Sequence, residues 1–540
     1  MVTSCRMSQL NIVGLIALLL CPDQYLIRTV TTVCSVFYST PPSWPVRSCI
    51  AFFFPRMSMA QPTSAVTLDP EPLSMTAAGR KRSLSPQLAS TLPLAKHQHR
   101  LPPRPSNISG PPSDPSPSNW HLRLADRSAA RWTAQRPPQL LQQPEQITSF
   151  SYDEERQLYH DDRSRTHFHY PPPGVDLNRG FDGYVRRDET KDEHLDSLLW
   201  SLMDLADRHP EADRARQRAD VITWRGMMTK LCTLLYEDSR DGGFTMNVML
   251  VNDTLYIEEH VTAADRQSKV DRNDPSSSNF DHVGSQLQYH GAAFESWCTH
   301  AERPQPFDYQ RDDPWGGDVN TNVQWCRIVK TRLGTTARLI LGGEVDCIST
   351  PNDSSNAHRA PQSLELKTTM TIRNQRDTDR FERKMLRFYM QSYLLGIERV
   401  FVGFRNRAGK LESTHDFETL AMPKLVKGKR EGVTWDTTAC LNAAAEVLGF
   451  LLKTIRSNEK TRRGRSEAGP DGEKGEMEPA VYRVRFAPPY DAVSVAQVSD
   501  AKVNGTEKPS DGKKGDDEPR TGFMPKKYHD WAIRKPRVYQ

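Results

Sequence analysis

Apolar positions become regular along the chain only from about residue 131. "KDEHLDSLLWSLMDLADRHP" sets Leu195, Leu198, Leu199, Leu202 and Leu205 on one stripe and stops at Pro210, which predicts a core helix. "DVITWRGMMTKLCTLLYED" carries Trp224, Met228, Leu231 and Leu235 at the same spacing and predicts a second helix, with Trp224 on its core side rather than serving as a base-stacking platform. Two β-rich runs flank Asn252-Asp253 in "FTMNVMLVNDTLYIEEH", and two more flank Ala408-Gly409 in "RVFVGFRNRAGKLEST"; both predict hairpins. "DRFERKMLRFYMQSYLLGI" reads as a helix made largely apolar by Phe381, Met385, Phe388, Leu394 and Leu395.

The segment "RLILGGEVDCIS" alternates as one strand, with Leu339, Leu341, Val345 and Cys347 on one face and Ile340, Glu344 and Asp346 on the other. After a polar loop, "SLELKTTM" repeats the pattern, with Leu364 and Leu366 opposite Glu365 and Lys367. Pairing of the two would bring three carboxylates and one ammonium together. Crowded carboxylates raise one another's pKa unless a cation neutralises them, and hard divalent ions such as Mg²⁺ or Mn²⁺ take oxygen ligands. The alternative is a solvated strand face whose charges pair with Lys or Arg. On the following helix, Lys384 and Gln391 stand seven residues apart, almost above one another. Gln391 either makes a structural hydrogen bond or orients a water or phosphate, and Lys384 is placed to meet backbone charge.

Composition limits how much of the 540-residue chain folds. Fifteen of its 39 prolines lie between residues 61 and 147, where apolar residues are too sparse to offset the entropy of ordering, so 61–130 is expected to be a disordered Pro/Ser-rich segment. In residues 1–60, the apolar run "NIVGLIALLL" is too short to span a bilayer and lacks a clean cleavage site. That stretch reads as a doubtful leader or gene-model artefact, with Met57 or Met59 as the real start. Four of the nine cysteines fall there; the other five are widely spaced without a C-x-x-C pair, which suits a reducing compartment and argues against structural zinc. A net charge of +5 permits a polyanionic partner without demanding one. "GRKR" at 79–82 and "KTRRGR" at 460–465 read as solvated loops or as nuclear-import or RNA-contacting patches.

Taken in order, Trp224-Arg225-Gly226, Gly291-Ala-Ala-Phe-Glu295, Glu344-Val-Asp346, Glu365-Leu-Lys367, Lys384 and Gln391 resemble the motifs of the DXO/Rai family of RNA 5′-end decapping nucleases. The resemblance covers roughly 145–455 and resumes at "YRVRFAPPYDAVSV" and "GFMPKKYHDWAIRKP". It departs in the small Ala292 and Ala293 and in charged inserts near 457–479 and 500–520, expected to be disordered.

The resemblance implies an α/β fold with a mixed, mostly antiparallel β core flanked by helices, akin to E-x-K nucleases, forming a single domain over 131–540. Glu295, Asp346, Glu365 and the Leu366 carbonyl would hold divalent metal, Mg²⁺ or Mn²⁺ and two ions in all. Glu344, Lys367 and Gln391 would be catalytic, and Arg225 and Lys384 would bind substrate. Substrates would be RNA with a 5′-triphosphate, an incompletely methylated cap or an NAD cap. The expected partner is a nuclear 5′-3′ exoribonuclease of the Xrn/Rat type, with the nucleus as location and no stable membrane association. Two alternatives remain: a mainly noncatalytic stimulator of that exoribonuclease, and a DNA exonuclease of the E-x-K type. Replacing Glu365 by Ala is expected to abolish hydrolysis while relieving repulsion and leaving folding largely intact.

Overall fold

Two sheets share the segment read above as one strand. In the structure, a computed structural model, Ala337–Glu344 lies in a ten-stranded sheet, parallel to Val221–Trp224 on one side and antiparallel to Gln324–Leu333 on the other. The ladder then stops. Val345 donates its N–H to the Trp325 carbonyl (3.0 Å), and the Thr166 hydroxyl donates to the Asp346 carbonyl (2.8 Å). Pairing resumes in a six-stranded sheet, where Cys347–Ser349 runs antiparallel to Gln362–Met370 with Cys347 opposite Leu364. The single expected strand is therefore two, and Asp346 occupies the switch between sheets.

The structure describes residues 119–534 apart from 125, 136, 211–217, 238–241, 302–312, 350–360, 427–433, 468–478 and 499–518. Pairing is mostly antiparallel: in the larger sheet only Val221–Trp224 makes parallel contacts, with Thr254–Glu259 and Ala337–Glu344. Val221, Ile222 and Thr223 explain why the second predicted helix starts late. Their β-branched side chains suit a buried central strand, so the helix begins at Arg225 and Trp224 ends the strand. The first predicted helix forms as Asp196–Arg208.

Both hairpins form. Asn252 and Asp253 take the left-handed conformations (φ 47° and 69°) that a tight turn between Phe244–Val251 and Thr254–Glu259 requires. Arg399–Arg405 pairs with Leu411–Glu418 around Gly409 at φ 82°. Helix Gln375–Leu395 is capped by the Asn374 side chain, which accepts the Asp377 N–H, and is terminated by Gly396 at φ 70°.

The main core lies where this helix, Arg225–Thr233 and the long helix Thr437–Glu467 cover the larger sheet. By length and composition Thr437–Gly464 could cross a membrane, but Ala443, Ala444, Val447, Leu448 and Leu451 are buried in that core. Two expectations of disorder are corrected. Asn119–Arg123 forms an edge strand against Ala492–Val498, and residues 457–467 continue the long helix, whose Ile455 and Glu459 still reach the interior. The leader and residues 61–118, 468–478 and 500–518 lie outside the described residues. Among those described, Cys232, Cys298, Cys326, Cys347 and Cys440 are all buried free thiols.

Candidate active site

Four elements meet at the sheet junction, each delivering one motif. Glu344 ends its strand, Asp346 sits in the switch, and Glu365, Leu366 and Lys367 lie in the middle of Gln362–Met370. Glu295 comes from helix His282–Cys298, whose neighbouring Phe294 is fully buried and stacks on Phe401 (centroids 5.9 Å apart), fixing the helix's rotation over the smaller sheet. Arg225 is the first residue of its helix. It reaches the junction because Gly342 and Gly343 present no side chains: a Cβ on Gly343 would lie 2.6 Å from a Leu395 methyl and 3.1 Å from the Arg225 Cβ.

Glu365 is 1 % exposed and is held from both sides, by Arg225 Nη1 at 2.8 Å and Lys367 Nζ at 2.6 Å. Burial alone would raise its pKa; the two cations outweigh this and hold it down at about 2. Lys367 is pushed up, since Glu365 and Asp346 overcome its own desolvation. The other carboxylates behave oppositely. Burial pushes Asp346 up to about 7, reinforced by Glu365, although the Leu366 N–H donates to its Oδ2 at 2.6 Å. Burial and the repulsion of Asp346 and Glu344 raise Glu295 well above the carboxylate range. Burial also raises Glu344, against the pull of Arg225; its Oε2 accepts a hydrogen bond from Gln324 at 3.1 Å. Among the described residues no three His, Cys, Asp or Glu side chains form a ready-made metal cage. Both oxygens of Glu365 are engaged by side-chain cations, while three neighbouring acids carry more charge than the chain neutralises. An all-oxygen donor set with excess negative charge fits a hard divalent ion.

Two cavities open on either side of Glu344 and Gln324. One, of 420 Å³, is lined by Trp224, Arg225, Gln391 and His194; the other, of 650 Å³, is lined by Glu295, Gly291 and Ala292. The structure thus gathers Glu295, Glu344, Asp346, Glu365, Leu366, Lys367, Arg225 and Gln391 about one cleft. Lys384 is not brought there: it lies two helical turns from Gln391, beside Arg380 and Arg405, and burial lowers its pKa. Trp224 is neither purely core nor an open platform; its Nε1 donates to the His194 carbonyl at 3.0 Å and its ring faces the smaller cavity. Sequence reasoning missed Gln324, the paired glycines and the His194–Glu258 pair. Adjacent glycines within a strand were a usable signal of close approach; the other residues had none.

The chain also resembles known proteins. The family described as "RAI1 like PD-(D/E)XK nuclease" matches residues 142–529. The chain is 34% identical over 462 residues to the decapping nuclease RAI1 of Mycosarcoma maydis, covering 73% of this chain and 88% of that protein. It is 37% identical over 328 residues to the decapping nuclease RAI1 of Aspergillus fumigatus, covering 58% and 83%. Similar folds are the Candida albicans Rai1 structure in complex with pU5-Mn2+ (TM-score 0.58, 20% identity, covering 76% and 99%) and Scheffersomyces stipitis Rai1 with (3'-NADP)+ and calcium (TM-score 0.56, 22% identity, 72% and 94%).

Proposed function

This chain belongs to the RAI1-like PD-(D/E)XK nuclease family, and from that premise we propose that it hydrolyses RNA 5′ ends bearing a triphosphate, an incompletely methylated cap or an NAD cap, leaving 5′-monophosphate RNA for decay. As a member it is a hydrolase, a nuclease working with a divalent metal. The observation that carries the reading is the junction itself: four carboxylates gathered from separate parts of the chain, with Lys367 and Arg225 locked onto the fully buried one, Glu365.

Glu295, Asp346, Glu365 and the Leu366 carbonyl would hold the metal, with Glu344 completing the set. When bound, Mg²⁺ or Mn²⁺, in our reading as two ions, supplies Lewis acidity and neutralises charge at phosphorus. The chain's own groups do the rest. Lys367, kept charged by Glu365, stabilises negative charge developing on the phosphate oxygens. Gln391, on the wall of the smaller cavity, orients the attacking water. Arg225 spends one N–H on Glu365 and retains others for a substrate phosphate. Water adds to phosphorus, the bond to the leaving oxygen breaks, and the RNA retains its 5′-phosphate. Lys384, apart from the carboxylates, would contact the RNA backbone farther along.

The full chain incubated with 5′-triphosphate RNA, unmethylated-cap RNA, NAD-capped RNA and linear duplex DNA, with Mg²⁺ or Mn²⁺ and with chelator, tests this. Metal-dependent release of 5′-monophosphate RNA is expected. Cleavage of DNA alone would instead identify a DNA exonuclease, and stimulation of an exoribonuclease without any cleavage would identify a noncatalytic partner. An Xrn/Rat-type exoribonuclease as partner and the nucleus as location belong to the same reading; co-purification and cell fractionation test them.

A further inference from the structure

Next to the carboxylates stands a polar pair that the reaction so far does not use. His194 holds a left-handed backbone conformation (φ 46°), costly for a residue with a Cβ and sustained only where surroundings enforce it. Its carbonyl accepts the Trp224 indole N–H at 3.0 Å, and its ring Nδ1 lies 2.8 Å from Glu258 Oε2. Glu258 is 3 % exposed; its other oxygen accepts from Asn247 Nδ2 at 2.7 Å, and Asn247 Oδ1 in turn accepts from Arg483 Nε at 2.9 Å. This chain of contacts fixes the imidazole on the wall of the 420 Å³ cavity that Arg225 and Gln391 also line, with Nε2 left for a ligand. Orientation of one imidazole nitrogen by a buried carboxylate is how proteins aim the other.

The two cavities differ in charge. Two arginines face six carboxylates around the 650 Å³ cavity, whereas six Lys and Arg side chains and His194 face six carboxylates around the smaller one. Polyphosphate entering from Glu344 meets less repulsion on the His194 side. A volume of 420 Å³ lies within the size range of small-ligand pockets.

We propose that His194, aimed by Glu258, donates a hydrogen bond from Nε2 to a phosphate of the departing 5′ group, making this pair a determinant of which 5′ ends bind well. The proposal rests on the RNA 5′-end reading above. With Glu258 ionised, Nδ1 carries a proton and donation from Nε2 requires the imidazolium. The charged groups facing the ring are Glu258 on strand Thr254–Glu259, Asp192 in its own loop and Arg520 beyond; burial disfavours the charged ring, but Glu258 outweighs it and the His194 pKa is raised, while burial outweighs the pull of His194 and raises Glu258 as well.

The test is steady-state kinetics on the full chain. His194→Leu should raise KM for 5′-triphosphate and capped RNA about tenfold, the size of one charge-assisted hydrogen bond, with a smaller change in kcat. Binding of 5′-monophosphate RNA, which lacks the departing group, should not weaken. His194→Gln, keeping an N–H donor, should regain most of the loss, and the rise of wild-type KM with pH should flatten in His194→Leu. Unchanged KM, or equal weakening toward monophosphate RNA, overturns the proposal. If His194→Leu does not fold, Glu258→Gln decides: KM rises with the same substrate pattern, or the proposal fails. Calorimetric binding of inorganic pyrophosphate to the same variants separates this from the function reading. Even if the wild type cleaves no RNA, about tenfold weaker pyrophosphate binding in His194→Leu or Glu258→Gln supports the pair, and unchanged binding overturns it.

Discussion

Glu365, fully buried, and Asp346, partly exposed, are carboxylates of one site, yet their surroundings treat them in opposite ways. Glu365 is compensated from within: Arg225 and Lys367 grip its two oxygens and hold its pKa down at about 2. Asp346, with Glu295 and Glu344, has no such grip, and burial together with neighbouring acids drives the three upward. One half of the cleft is a finished ion cluster; the other half carries charge that an added cation must neutralise. Removing Glu365 would therefore act in two ways: it relieves the repulsion that Glu365 exerts on Asp346 and Glu344, and it strips Arg225 and Lys367 of the carboxylate that grips them.

The largest effect should come from the uncompensated half. Asp346→Asn keeps an oxygen for the Leu366 N–H but removes a charge that we propose holds metal, and should lower the rate of RNA 5′-end hydrolysis by about 10³-fold or more. Single-turnover assays at saturating Mn²⁺ check it; activity within tenfold of wild type would break the division into halves. Glu365→Gln should also abolish activity but differ in stability. Leaving the part-exposed Arg225 and Lys367 without the carboxylate that grips them should cost about 1–3 kcal/mol, read from urea midpoints in chelator. Asp346→Asn in the same buffer at pH 8 should gain roughly 1–2 kcal/mol, because a repelled charge is gone. Mn²⁺ should raise the melting temperature of wild type and not of Asp346→Asn. Two variants shifted in the same direction would merge the halves again.

How much of this was legible in the residues follows the same division. Period-two alternation put Glu344 with Asp346 and Glu365 with Lys367 in short polar pairs, and the ordered motifs added Glu295, Arg225 and Gln391. The break after Glu344 was not legible, because alternation runs undisturbed through Val345 and Asp346 while the chain changes sheets; the partners that stop the ladder, Trp325 and Thr166, are distant in sequence. Trp224 differs for another reason. The helical stripe of Met228, Leu231 and Leu235 runs backward in phase over Val221, Ile222 and Thr223, whose β-branching favours a strand. Lys384 shares a helix face with Gln391, but two turns carry it about 10 Å along the helix, to Arg380 and Arg405.

Arg225 is held where it is by the absence of side chains opposite, and this sharpens the comparison further. Gly343→Ala would set a methyl 2.6 Å from a Leu395 methyl and 3.1 Å from the Arg225 Cβ. Overpacking of this kind should cost about 1–3 kcal/mol, and the displacement of Arg225 should weaken its hold on Glu365. Gly343→Ala should therefore lose activity while keeping every carboxylate proposed to hold metal, and Mn²⁺ should still raise its melting temperature.

The smallest effect concerns a buried titratable group handled in a third way, by neutrality. His290 is 1 % exposed, and its Nε2 lies 2.9 Å from the Asn178 Oδ1, beneath Gly409. Burial, reinforced by Arg405, lowers its pKa to about 4. An unfolded histidine titrates near its ordinary value of 6.5. Between those two values the unfolded chain binds the proton and the folded chain does not, so stability is complete above about 6.5 and falls as pH drops toward about 4. One such group contributes a slope of at most about 1.4 kcal/mol per pH unit. His290→Gln, which keeps an N–H for Asn178, should flatten this acid limb relative to wild type while matching it at pH 7.5. His169, likewise lowered to about 4 by burial, should leave a residual slope in the variant. Urea midpoints at pH 7.5, 6 and 5 read the difference. An identical acid limb in both proteins would mean that His290 titrates in the fold much as it does in water.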